Sequence, residues 1–482
     1  MFRKLFSRNK SPKVFVIGLD CAPPEMLFDA WRHELPNLKK LMDRGTYREL
    51  MSSTPAITVP AWSSMTSSKD PGTLGFYGFR NRRDHSYDNR YIATGNVVKE
   101  KRVWEILDAA DKKSIVLGVP QTYPIKPLKN GMVVSSFLTP DTTNPRIQWT
   151  HPKELQGEIN KLLAPHAYDV DIPQFRTNDK AFFLKQLYDM SKKRYEVLRY
   201  LLDKKAWDFF MFVEMGTDRI NHAMWAYHDP THRKHDPNSP YVHAIRDYYR
   251  YLDEEIGTLL DRLPPETHII TVSDHGAKKM EGGICINEWL IREGYLVLKS
   301  DPPPIGELVP LDKLDVDWEK TTVWGDGGYY ARIFFNIAGR EPQGTIKPEA
   351  FDAFREKFID HLKSIPAPDG TPINTRVFKP EETYHKVKNV PPDLLVYLGD
   401  LTWRSVGTLG HGDIYTFEND TGPDDANHAE NGIWIYTPPA KDEDLSGRQL
   451  PAVQLMDFAP TVLSLLDVPI PSDMQGKQIP LS

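Results

Sequence analysis

The chain has 482 residues, of which 40% are hydrophobic and 26% charged, with a formal net charge of −6. This is the balance of a soluble globular protein long enough to bury a large core unaided. It argues against a nucleic-acid polymer as partner; two distant cysteines, Cys21 and Cys285, exclude a disulfide framework; and no stretch nears the roughly 20 apolar residues of a membrane span.

Residues 1–11 are basic but lack an apolar signal core, so they are expected to be a flexible arm, and the simplest compartment is the cytoplasm. Val14–Leu19 is a short β-branched run, hence a buried strand, and it ends in Asp20. Cys21 beside it is taken as a buried small residue. In the segment Thr54 to Met65, Pro60 suits the first turn of a helix. Thr58 then stands at the helix N-terminus, where amides and dipole favour an anion. Its hydroxyl is a candidate nucleophile or only a cap, with Thr54, Ser63, Ser64 and Thr66 as rivals. Arg80-Asn81-Arg82-Arg83 is the best candidate for a basic patch, and equally a solvated loop.

Ser114–Leu117 and Phe209–Val213 are further buried strands, with a helix expected over Asp179 to Lys204. After the second strand come Asp218 and His222, whose i,i+4 spacing puts both on one helix face, unless Asp218 only caps that helix. A helix over Tyr241 to Leu263 leads to the strand His268–Val272 and then Ser273-Asp274-His275-Gly276. Asp274 and His275 are metal ligands or a hydrogen-bonded pair near the surface. Proline-rich stretches surround a lone strand, Ala331–Asn336, in a region from 281 to 392. Leu394–Tyr397 and Ile433–Tyr436 complete the strands. His428, just before the last of them, has on residue type alone no better claim than His411.

Strands alternating with helices predict an α/β fold with a parallel sheet. In such sheets ligands bind at the carboxyl ends of the strands, and three strands here deliver Asp or His to that edge. Crowded carboxylates repel unless a cation holds them. Carboxylate with imidazole suits zinc first, with manganese or iron as alternatives.

Taken in order, these segments resemble the alkaline phosphatase superfamily. The closest likeness is to its type I phosphodiesterase/nucleotide pyrophosphatase branch, and within that to a bacterial and archaeal phosphohydrolase-or-phosphomutase group. The resemblance runs nearly end to end, through Pro392–Tyr397 and Met456–Leu466 to Gly476. It implies a mostly parallel central sheet with helices on both faces. One catalytic domain would span 12–480, with insertions near 76–180 and 281–392 as a cap. It implies two divalent metal ions, one held by Asp20, Asp274, His275 and Thr58, the other by Asp218, His222 and His428. It further implies hydrolysis of a small phosphate ester through a phospho-threonine at Thr58. Asn221, Arg219, Lys69 and Arg404 are candidate substrate contacts. Where the nucleotide pyrophosphatases carry Asn after their Thr-x-Pro turn, this chain has Ala61, so another group must hold that phosphate oxygen. A phosphomutase and a non-catalytic, metal-stabilised binding protein are the alternatives. A sulfatase is not favoured, because its modified Cys or Ser sits in a different motif.

Overall fold

The computed structural model describes residues 11–482, so the proposed arm lies, up to residue 10, outside the described residues. The central sheet is built from β1 (Lys13–Leu19), β2 (Thr46–Met51), β3 (Ser114–Leu117), β4 (Met132–Val134), β5 (Thr150–His151), β6 (Phe209–Glu214), β7 (Thr267–Val272) and β8 (Asn431–Thr437). Its order is β2-β8-β7-β1-β6-β3-β4-β5, with short strands at residues 448–449 and 453–454 beside β2. β7, β1, β6, β3 and β4 run parallel, while β8 and β5 pair antiparallel with their neighbours.

Alternate residues of a strand face opposite sides of a sheet, and β1 divides accordingly. Phe15, Ile17 and Leu19 pack into one core with helices α1 (Pro36–Arg44), α3 (Lys180–Lys204), α4 (Gly216–His228) and α5 (Ala244–Leu260). Val14 and Val16 pack into a second core with α2 (Thr58–Ser67) and α6 (Phe458–Leu465). The mostly parallel sheet is thus covered by helices on both faces. Among the described residues no helix is long and apolar enough to cross a membrane.

A second unit carries its own core. It contains a four-stranded sheet of residues 323–326, 331–335, 394–397 and 376–378, and a three-stranded one of 403–406, 282–285 and 415–416. Leu394–Tyr397 therefore belongs to this unit and not to the central sheet, because it pairs with Ala331–Phe335. This unit thus runs past the expected 281–392 insertion, through residues 403–406 and 415–416. Residues 76–180 divide differently from expectation: β3, β4 and β5 inside that range complete an edge of the central sheet. The basic run is divided: Arg80 and Arg83 are exposed, whereas Asn81 and Arg82 are buried. Arg80–Arg82 forms a hairpin with Arg90–Ile92, and the buried Arg82 guanidinium pairs with Glu341 at 3.2 Å.

Candidate metal centre

The carboxyl ends of β1, β6 and β7 sit side by side, which brings Asp20, the start of α4, and Asp274-His275 to one place. One helical turn separates Asp218 from His222 on α4. His428 arrives on the strand Ala426–Ala429, which pairs antiparallel with Gly276–Lys279 so that Ala277 faces His428. The His275 and His428 rings then stack with centres 3.9 Å apart. Thr58 opens α2, whose N-terminus has no side-chain cap, and its Oγ1 lies 3.4 Å from His275 Nε2.

Every imidazole in this cluster is anchored through Nδ1. His222 Nδ1 faces Asp424 Oδ1 at 2.8 Å, His428 Nδ1 faces the Ala56 carbonyl at 2.8 Å, and His275 Nδ1 faces the Gly276 carbonyl at 3.1 Å. Acceptors beside each Nδ1 hold a proton there and turn the Nε2 atoms inward. They point at one another and at carboxylates: His222 Nε2 to His428 Nε2 is 3.1 Å, His222 Nε2 to Asp218 Oδ1 3.3 Å, and His275 Nε2 to Asp274 Oδ2 3.1 Å. Asp20 Oδ1, Asp218 Oδ1 and Asp274 Oδ2 are buried with no hydrogen-bond partner among the described residues.

The charge balance is correspondingly unfavourable. Burial, and then the Asp218 charge, push the Asp20 carboxyl well above the usual carboxylate range. Burial and Asp20 do the same to Asp274. Burial opposes ionisation of Asp218 too, but His222 and Arg219 hold it well below its ordinary range. Burial disfavours a charged His222, yet Asp424 and Asp218 carry it up to about 10. Burial lowers His275 to about 4. Inward Nε2 atoms and orphaned carboxylate oxygens are a donor set that fits divalent cations. The donors fall into two groups, Asp20 with Asp274 and His275, and Asp218 with His222, His428 and Cys21.

The surroundings hold this cluster in place. Trp62 Nε1 donates to Asp20 Oδ2 at 2.6 Å. Its ring reaches β1 because residue 18 is glycine: a Cβ there would lie 2.8 Å from the indole and from the Phe212 carbonyl oxygen. The second unit grips the loop before Thr58, since the Ala56 amide donates to Tyr397 Oη at 2.9 Å and Tyr384 Oη donates to the Thr54 carbonyl at 2.7 Å. Tyr329 lays its ring 4.7 Å from that of His222 and 4.3 Å from that of His428.

A family model for type I phosphodiesterase / nucleotide pyrophosphatase matches residues 14–424. The chain belongs to that family. This phosphodiesterase-family hydrolase superimposes on human ectonucleotide pyrophosphatase/phosphodiesterase 5 with a TM-score of 0.55 at 14% identity, over 95% of this chain and 96% of that one. The murine counterpart, solved in an inactive form in complex with AMP, gives 0.54 at 13% identity over the same shares. The fold is therefore that of the alkaline phosphatase superfamily. No functionally curated protein matches the chain in sequence.

The expected substrate contacts of the family chain fare unequally. Lys69 lies beyond the far end of α2 from Thr58 and pairs with Asp473 at 2.9 Å. Arg219 is spent on Asp171, by two bonds of 3.0 and 2.6 Å, and on Asp218 Oδ2 at 2.6 Å. Asn221 donates to the Cys21 carbonyl at 2.7 Å. These three hold protein groups in place. Arg404 is only partly engaged: its Nη2 pairs with Asp420 at 3.4 Å, its guanidinium lies 5.8 Å from the Tyr329 ring, and its buried Nε and Nη1 have no hydrogen-bond partner among the described residues. Ala61 is fully buried and its amide bonds the Ile57 carbonyl, so it presents no polar group. Of the rival hydroxyls, Ser63 bonds Gln121 and Thr66 bonds the Trp62 carbonyl. His411 bonds Thr408. Asp424, Trp62 and Tyr329 carry no motif of their own. Only the need of an imidazole ligand for an acidic partner points to Asp424, an acid four residues ahead of His428.

Proposed function

We propose that this family member hydrolyses a small phosphate ester by transferring the phosphoryl group to Thr58. The observation that carries this reading is the meeting of three inward Nε2 atoms and three orphaned carboxylate oxygens beside the Thr58 hydroxyl. Asp20, Asp274, His275 and Thr58 would hold one divalent cation, and Asp218, His222 and His428 the other. Zinc is the first choice for this donor set and manganese or iron the alternatives. When bound, such ions neutralise phosphate charge and favour the deprotonated hydroxyl and water.

The chain's own groups do the rest. Thr58 Oγ1 forms the bond to phosphorus as the ester oxygen departs, and water later releases phosphate from the threonine. The uncapped amides at the start of α2 receive the phosphate oxygens. Arg404, with two guanidinium nitrogens unclaimed, is the arginine suited to a further substrate oxygen and takes the part that Ala61 cannot. A cytoplasmic setting goes with this reading, since Cys21 and Cys285 are both buried free thiols.

The test is release of nitrophenol and free phosphate from nitrophenyl phosphate mono- and diesters by metal-loaded protein, with AMP, the ligand of the murine relative, as an inhibitor. Turnover with stoichiometric free phosphate from the monoester is expected. Little or no release of free phosphate would favour a mutase instead, which returns the phosphoryl group to another hydroxyl of its own substrate. Wild-type turnover in Thr58→Ala would refute the nucleophile.

A further inference from the structure

Cys21 is the buried small residue expected, and its thiol also borders a group of potential metal ligands. Its Sγ shares one buried space with Asp218, His222 and His428, one ligand atom from each lying within 4.8 Å of every other. An ion with bonds of about 2.0–2.3 Å bridges such a spread with small side-chain movements. The residue is fixed on both sides: its amide donates to Asp274 Oδ1 at 3.3 Å, and its carbonyl accepts from Asn221 Nδ2 at 2.7 Å. Its thiol donates to the Gly276 carbonyl at 3.3 Å. The orphaned, buried Asp218 Oδ1 marks the same space as built for a cation.

We infer that Cys21 is a sulfur donor to the cation held by Asp218, His222 and His428. This rests on the two-cation reading above. It makes the two centres chemically unequal. The Asp20–Asp274–His275–Thr58 centre offers mainly oxygen, whereas the other joins thiolate to two imidazoles and selects a thiophilic ion such as zinc over manganese or magnesium. A sulfur donor also adds negative charge to this centre, which would temper the Lewis acidity of the ion it binds.

The test loads metal-free protein with Co²⁺ alone and records its near-ultraviolet and visible absorption beside elemental analysis. A thiolate-to-cobalt charge-transfer band is expected in the wild type and in Cys285→Ala. It is expected to vanish in Cys21→Gly with cobalt still bound. Glycine is the suitable replacement because residue 21 has φ of 60°, in the left-handed region. In competition, the preference for zinc over manganese should fall at least about tenfold in that variant. Two cobalt ions per chain without the band, or a band that survives Cys21→Gly, would overturn the sulfur ligand and leave the two-cation reading standing. Failure to bind cobalt at all would overturn both.

Discussion

Asp424 Oδ1 lies 2.8 Å from His222 Nδ1, on the side of the ring away from the donor cluster. The carboxylate is buried, and Tyr329 Oη at 2.8 Å and Arg176 at 3.2 Å fix its other oxygen. It orients His222 and strengthens Nε2 as a donor. Asp424→Asn should therefore weaken binding of the second divalent ion by roughly 10–100-fold. Isothermal titration of metal-free protein with Zn²⁺ reads this directly, and Thr58 is untouched by the change.

Removing the metals should make stability depend on pH with a definite sign. His222 is raised to about 10 in the folded chain, against about 6.5 unfolded. The stability of its charged form is thus complete below about pH 6.5 and is lost as pH rises towards 10. Asp20 and Asp274 are also raised and act with the same sign. The depressed His275 and His428 act with the opposite sign, but only until they finish titrating in the unfolded chain, about one unit above their ordinary 6.5. The Tm of metal-free protein should fall steadily from about pH 8 to 9.5, above the range in which the depressed histidines titrate in the unfolded chain. That of the metal-loaded protein should stay nearly level, because a His222 lone pair given to a cation binds no proton.

Arg404 is expected to act on substrate and not on metal. Loss of one charge-assisted hydrogen bond, worth about 1.5–3 kcal/mol, should raise KM roughly 10–100-fold in Arg404→Ala. Metal content should remain that of the wild type. Steady-state kinetics with elemental analysis checks both halves of the prediction.

Gly18→Ala should destabilise the fold by about 1–3 kcal/mol, since the new methyl meets Trp62 and the Phe212 carbonyl at 2.8 Å. Displacing Trp62 also costs Asp20 its 2.6 Å hydrogen bond, so metal affinity should fall with stability. Denaturant titration of the metal-free and loaded forms separates the two effects.

Legibility followed periodicity and position. β1, β3, β6 and β7 announce themselves as short buried runs, and the polar residues at their ends announce the site, because parallel strands place their carboxyl termini on one edge. β2 escaped notice: Thr46–Met51 mixes Arg48 and Glu49 into an otherwise strand-like run. Leu394–Tyr397 has the composition of a central strand, and only its pairing with Ala331–Phe335 assigns it elsewhere. His428 could not be told from His411 by residue type, since its place depends on a ladder to Gly276–Lys279 across 150 residues of chain. Arg219, Asn221 and Lys69 looked free because their partners Asp171, the Cys21 carbonyl and Asp473 are distant in sequence.

Acid quenching during turnover, followed by peptide mass analysis, tests the central claim most directly. Hydrolysis through the threonine predicts one added phosphoryl group on the peptide that carries Thr58, and none in Thr58→Ala or in metal-free protein. Full turnover with no phosphoryl group ever found on that peptide, or the group found on another residue, would contradict the account.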